Sequence, residues 1–189
     1  MKTSLIVTGV AAALAVAGWM GWSADQLHRK DQLVLARWAE VHAAEQTQFA
    51  EVPVVLALVD QKTGLDPGVR AGARARCGSL GEFDNAAALI DDPQRFDRYK
   101  QVRAECTGTL FRLLAAAGAE PAVAQDPHVQ SLRQSLTRGQ ADVDAARERY
   151  RQALQAYNAG VQRLPTRVAA AVLGYQERPD FVRWATMNS

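Results

Sequence analysis

The sequence predicts an all-α protein in which an N-terminal transmembrane helix leads into an antiparallel four-helix bundle of long helices. Three observations carry that prediction. Residues Leu5 to Trp22, LIVTGVAAALAVAGWMGW, hold no charge. Large apolar or aromatic residues recur every seven positions at Val129, Leu136, Val143, Tyr150, Tyr157 and Leu164, a spacing that keeps one seam of a helix against its neighbours. Between short Pro and Gly stops there is no alternating β-branched run long enough to suggest a sheet. The chain divides accordingly into residues 1–23, the anchor, and residues 24–189, the helical domain.

The uncharged run is eighteen residues long and, as a helix, spans roughly 27 Å, close to the hydrocarbon core of a bilayer. Trp19 and Trp22 fall at its C-terminal edge, where indole rings favour the membrane interface. A cleaved signal peptide is the competing reading, because Lys2, a short apolar region and Ala15-Val16-Ala17 also fit the signal-peptidase pattern. Within the run, Gly9, Ala13, Ala17 and Gly21 recur every four residues. Such a ridge of small side chains lets two helices approach closely in lipid and predicts a homo-oligomer; the plainer explanation is that Ala and Gly are abundant here.

The first helix of the domain is predicted over about Ala24 to Lys62, separate from the membrane segment or continuous with it. Its apolar positions Trp38, Val41, Phe49, Val52, Leu56 and Val59 form a core-facing stripe, with Pro53 inside it as an expected kink. TGLDPG breaks the chain at residues 63–68, and a second helix over about Val69 to Ile90 is weakened by Gly72, Gly78 and Gly81. Asp91-Asp92-Pro93 starts a third helix that runs to about Ala117. After the connector GAEPAVAQDP, Asp126 caps the fourth helix, with Pro127 in its first turn.

Tyr150 and Tyr157 sit on the seam of the fourth helix and read as core residues whose hydroxyls need partners. The companion row Leu132, Gly139, Ala146, Ala153 and Gly160 alternates small with large, so a neighbouring helix can pack close. Pro165 ends this helix, Gly174 can end a further short one, and Pro179, Phe181 and Trp184 suggest a terminal piece folded back on the bundle.

The function classes narrow by exclusion. A formal charge of +2 over 189 residues supplies no field that argues for nucleic acid. No Ser lies in a nucleophile elbow and no Gly-rich loop matches a phosphate cradle, so the reading is a protein that is not an enzyme and has no cofactor. His28, His42 and His128 are scattered; His42 with Glu45 shares a helix face at the spacing of some bundle metal sites, and there is no second Glu-x-x-His to complete one. Cys77 and Cys106 fit no metal or redox spacing; they are either inert buried thiols or a bridge between neighbouring helices in an oxidising compartment. Arg133, Arg138, Arg147, Arg149, Arg151, Arg163 and Arg167 give the last long helix a basic side. A solvated face is the ordinary account of it, and a surface for anionic lipid or an acidic partner the sharper one.

Two segments resemble the LemA family of membrane-anchored helical proteins. In the first, Trp38 precedes Pro53 with Glu40, Val41, Phe49 and Val52 between them. The second comprises Ala146-Arg147, Tyr150, Tyr157-Asn158, Val161, Leu164-Pro165 and Leu173-Gly174-Tyr175. Departures from the family's pattern are Gln46-Thr47-Gln48, Val54, Arg138-Gly139-Gln140 and Arg151. The resemblance implies a membrane segment followed by a helical bundle, with Trp38, Pro53, Arg147, Tyr150, Tyr157, Asn158, Pro165 and Gly174 as packing residues. It also implies no established enzymatic activity, and a part in organising membranes, since one relative is associated with magnetosome membrane invagination. The expectation is therefore an adaptor or scaffold for other envelope proteins, held by a single pass in a bacterial inner membrane. Arg29, Lys30 and Arg37 just beyond the anchor compete with Lys2, so the positive-inside rule gives no clear side, and Lys2 at the very start with the two cysteines tilts the reading towards a periplasmic domain.

Overall fold

The computed structural model describes residues 2–61, 65–83 and 86–181, with side chains described from Val10 onward except at Ala12 and Ala86. Its elements are α1 (Lys2–Phe49), α2 (Val52–Asp60), α3 (Pro67–Gly78), a 3-10 turn (Ser79–Phe83), α4 (Ala86–Leu89), α5 (Pro93–Gly118), α6 (Pro121–Ala124), α7 (Pro127–Gln162) and α8 (Thr166–Leu173). There is no strand among the described residues, so the protein is all-α.

Local chemistry sets most of these boundaries. The Asp66 carboxylate accepts from the Gly68 and Val69 amides, Asp92 from Gln94 and Arg95, and Asp126 from His128, each one residue before a proline. Such caps satisfy amides that the helix itself leaves unpaired. Pro53 does more than kink the first helix. Its ring conflicts with the carbonyl four residues earlier, which is that of Phe49; α1 ends at Phe49 and α2 restarts at Val52. The expected single helix from Val69 to Ile90 is instead α3, the 3-10 turn and α4, since closely spaced glycines disfavour a continuous helix there. At the other end Gly174, with φ of 76°, adopts the left-handed conformation that closes α8.

Helices α1 and α7 run antiparallel. Gln48 lies beside Gly139, Glu45 meets Arg147, Glu40 meets Arg149, and Leu27 lies beside Gly160. The small row allows this approach: a Cβ added at Gly160 would lie 3.3 Å from Leu27 Cδ1, and one at Gly139 would lie 3.4 Å from Gln48 Cγ. Helix α5 packs on α3, and α2 packs on α3 and α7.

The core forms two clusters. One, rich in aromatic rings, gathers Leu27, Val34, Trp38, Phe96, Tyr99, Tyr150 and Tyr157; the other is aliphatic, with Val52, Val55, Val59, Leu110, Leu113, Val129, Leu132 and Leu136. Leu164, expected in the seam, is instead 75 % exposed, because α7 stops at Gln162, two residues before it.

Helix α1 is continuous from Lys2 into the domain. The side chains of Leu5 to Gly9, and that of Ala12, lie outside the described residues, and so does the expected position of Trp184. Among the described residues no helix is long and apolar enough to cross a membrane.

Candidate functional site

A layer of buried polar residues separates the two clusters. Glu45 and Gln48 occupy core positions on α1 and Arg103 occupies one on α5, all at least nine-tenths buried. Glu45 Oε1 lies 2.8 Å from Arg103 Nε and accepts a 2.7 Å hydrogen bond from Arg147 Nη2. Arg103 Nη2 donates to Gln48 Oε1 at 2.9 Å, and Gln48 Nε2 faces Gln140 Oε1 at 3.2 Å. Burial lowers the Arg103 pKa to about 10, against the pull of Glu45 and with a further push from Arg147. One carboxylate thus contacts two guanidiniums from different helices, with Asp144 adding negative charge near Arg103. The guanidiniums also stack, Arg147 4.5 Å from the Phe181 ring centre and Arg103 5.4 Å from that of Phe49.

A cleft of about 220 Å³ opens onto this layer between the end of α1, the 3-10 turn and α5, lined by His42, Glu45, Phe49, Phe83, Tyr99 and Arg103 among others. Its chemistry is limited. The Oε1 atom of Glu45 faces Arg103 and Arg147 together. Among the described residues no group of three His, Cys, Asp or Glu is placed to hold a metal ion.

The second construction is a strap, residues 175–181, laid back along α7 by the tyrosines of the seam. Tyr150 Oη donates to the Pro179 carbonyl at 2.9 Å, and Tyr157 Oη to the Gln176 carbonyl at 2.8 Å. Asn158 closes a pair of bonds with the Arg178 backbone, donating from Nδ2 to its carbonyl at 3.1 Å and accepting from its amide at 3.0 Å. The Arg178 side chain reaches Asp31 at 2.8 Å and Asp91 at 3.0 Å. Phe181 then inserts beside Trp38, Phe96 and Tyr150, with ring centres 5.1–5.9 Å apart. The tyrosines are therefore core residues and fasteners at once, and burial raises the pKa of both hydroxyls.

The residues singled out from the sequence fall into distinct places. Trp38, Arg147, Tyr150, Tyr157 and Asn158 converge on the aromatic half and its strap, whereas Pro53 and Gly174 set helix ends and Pro165 is exposed in the turn before α8. Cys77 and Cys106 form a disulfide joining α3 to α5 inside the aliphatic half. The arginines do not gather. Arg149 pairs with Glu40 and Arg151 with Glu148, while Arg133, Arg138 and Arg163 are spread along some 45 Å of α7. Of the ridge on α1, Ala13, Ala17 and Gly21 are exposed and Gly9 lies outside the described residues.

Sequence reasoning missed Glu45, Gln48 and Arg103 as members of the core. A signal was present: all three fall on heptad rows of otherwise apolar residues, Val34-Trp38-Val41-Glu45-Gln48-Val52 on α1 and Phe96-Tyr99-Arg103-Cys106 on α5.

No curated protein matches this chain. The family model described as LemA family matches residues 67–188, about two thirds of the chain, and takes in the tyrosine seam, the disulfide and the strap. Trp38 and Pro53 lie before the matched residues, yet Trp38 packs on Tyr150 and Phe181 within them. With the match and the packing it covers, the chain belongs to the LemA family.

Proposed function

We propose that this protein is a membrane-anchored, non-enzymatic adaptor or scaffold for envelope proteins of a bacterial inner membrane. Its domain is then an antiparallel four-helix bundle, counting α1 with α2, and α3 with α4, as single arms beside α5 and α7. The observation that carries this reading is the stretch of α1 beyond the packed body. Before Ser23, the first fully buried residue of α1 among those described, Val10, Leu14, Val16 and Trp22 are all more than half exposed. Leaving such side chains in water forgoes about 1.5–3 kcal/mol each, which insertion into lipid recovers. Family membership supports the same reading, as does a domain whose buried charges are spent on holding its own helices. The Cys77–Cys106 bridge supports a periplasmic domain, because disulfides persist in oxidising compartments.

The test is protease protection of the full chain in right-side-out and inverted membrane vesicles, after alkaline carbonate washing. The reading expects retention in the washed membranes and digestion from the periplasmic side. Release by carbonate, or a mature protein that begins at Gly18, would sink the anchor; digestion from the cytoplasmic side alone would sink the periplasmic assignment. A second reading, a self-associating organiser of membranes, is favoured by the exposure of Ala13, Ala17 and Gly21. It requires ordered oligomers in lipid that are lost in Ala13→Leu.

A further inference from the structure

The exposed large apolar side chains are not scattered. Leu33, Val54 and Phe111 stand singly, but Leu164, Val168, Val172 and Leu173 lie together on α8 and the turn before it, at 75 %, 44 %, 68 % and 51 % exposure. Isolated apolar residues on a surface are ordinary; exposed ones that recur along one short helix are not. Val168 and Val172 are one turn apart and share a face. The opposite side of α8 is fixed in place: Ala169 and Ala170 are buried, the Tyr175 amide donates to the Ala170 carbonyl, and Thr166 Oγ1 donates to the Gly160 carbonyl. Arg163 and Arg167 flank the apolar group, exposed and without an ion pair among the described residues.

The place of α8 in the fold gives this patch its meaning. Gly160 lies against Leu27, and Tyr175 Oη lies 3.4 Å from His28 Nδ1, so the segment holding α8 begins and ends at the level of residues 27 and 28 of α1. Helix α7 runs toward the N-terminus of α1, which carries Arg163 and Leu164 beyond Leu27. From Leu27 to Trp22, where the uncharged run ends, α1 rises only about 7.5 Å. The headgroup region on each side of a bilayer is roughly 5–7 Å deep. A membrane entered at Trp22 therefore brings its headgroups within reach of α8.

We infer that α8 is a second membrane contact, lying on the bilayer surface beside the anchor. Leu164, Val168 and Val172 meet the boundary between headgroups and acyl chains, and Arg163 and Arg167 meet anionic headgroups, the division of labour of an interfacial amphipathic helix. This rests on the anchor reading. Its consequence is a fixed posture: a domain held by α1 alone is free to tilt, whereas one held by α1 and α8 presents a constant face.

The test places an environment-sensitive fluorophore on Val16→Cys, Val172→Cys or Phe111→Cys in the full-length chain, reconstituted in vesicles of phosphatidylcholine and phosphatidylglycerol. The native cysteines stay in their buried bridge. Lipids carrying a nitroxide near the headgroup should quench most of the emission at position 172 and leave position 111 unchanged, and a mid-bilayer nitroxide should quench position 16. Less quenching at position 172 is expected in phosphatidylcholine alone and in Arg163→Gln with Arg167→Gln. Quenching at position 16 without quenching at position 172 overturns the α8 contact and leaves the anchor standing. Absence of quenching at both positions overturns the anchor and the inference built on it. A blue shift at position 172 without lipid quenching means that protein covers this face, and also overturns the inference.

Discussion

The two halves of the core are held shut by different means. In the aromatic half Trp38 touches Phe96, Tyr99, Tyr150 and Phe181, and a strap of chain is fastened over it through the hydroxyls of Tyr150 and Tyr157 and the amide of Asn158. In the aliphatic half Val, Leu and Ala carry no polar handle, and the helices α3 and α5 are joined covalently through Cys77 and Cys106. Apolar side chains alone are non-directional and tolerate sliding. Each half therefore adds a directional element, hydrogen bonds from tyrosine in one and a disulfide in the other, with the Glu45 layer between them setting the register of α1, α5 and α7.

The sharpest way to break this comparison is to remove what the halves share. Glu45→Ala takes from Arg103 and Arg147 the carboxylate that both contact, leaving Asp144 as the remaining negative charge acting on Arg103, and removing one partner of a buried pair costs about 3–5 kcal/mol. Chemical denaturation should show a loss of that size, affecting both halves together. A loss below about 1 kcal/mol, the range of exposed pairs, would mean that the layer is decorative.

Next in size is the covalent link. Loop-closure entropy for a bridge spanning 29 residues in sequence amounts to roughly 3–4 kcal/mol in the chain-entropy model. Cys77→Ala with Cys106→Ala should lower stability by about that amount, and reductant should affect the parent protein but not this variant. Hydrogen exchange should rise first in α3, leaving the tyrosine strap protected. Equal loosening of the strap would show that the halves are not separately secured.

The smallest change tests the aromatic half. Tyr157→Phe keeps the ring and removes the bond to the Gln176 carbonyl, which predicts a loss of about 1 kcal/mol at neutral pH. The pH dependence has a definite sign. Burial raises the Tyr157 pKa above its ordinary 10.0, so the folded state keeps a proton that the unfolded chain gives up. That contribution is complete below pH 10 and falls as pH rises past it. Unfolding free energies from pH 8 to 11 should therefore fall less with pH in Tyr157→Phe than in the parent. Identical slopes would remove Tyr157 from the strap's fastening.

Much of this architecture was legible in the residues. Heptad spacing identified the α7 seam, the small companion row anticipated the close approach of some neighbouring helix, and Asp-Pro pairs at Asp92 and Asp126 marked two helix starts. Each of these depends only on residues within a few turns of one another, which is why the helical class, most buried faces and several helix ends could be read from residue order. What it left open depends on residues far apart. Glu45 bonds Arg147 across 102 positions, Gln48 bonds Arg103 across 55, and Tyr150 finds its acceptor in a carbonyl of the strap. A period says which face of a helix is buried; it does not say which polar groups meet there. Packing of distant segments is what gathers three misfit polar residues into one layer, brings the two cysteines close enough to bridge, and turns Leu164, on the apolar repeat, outward because α7 stops two residues before it.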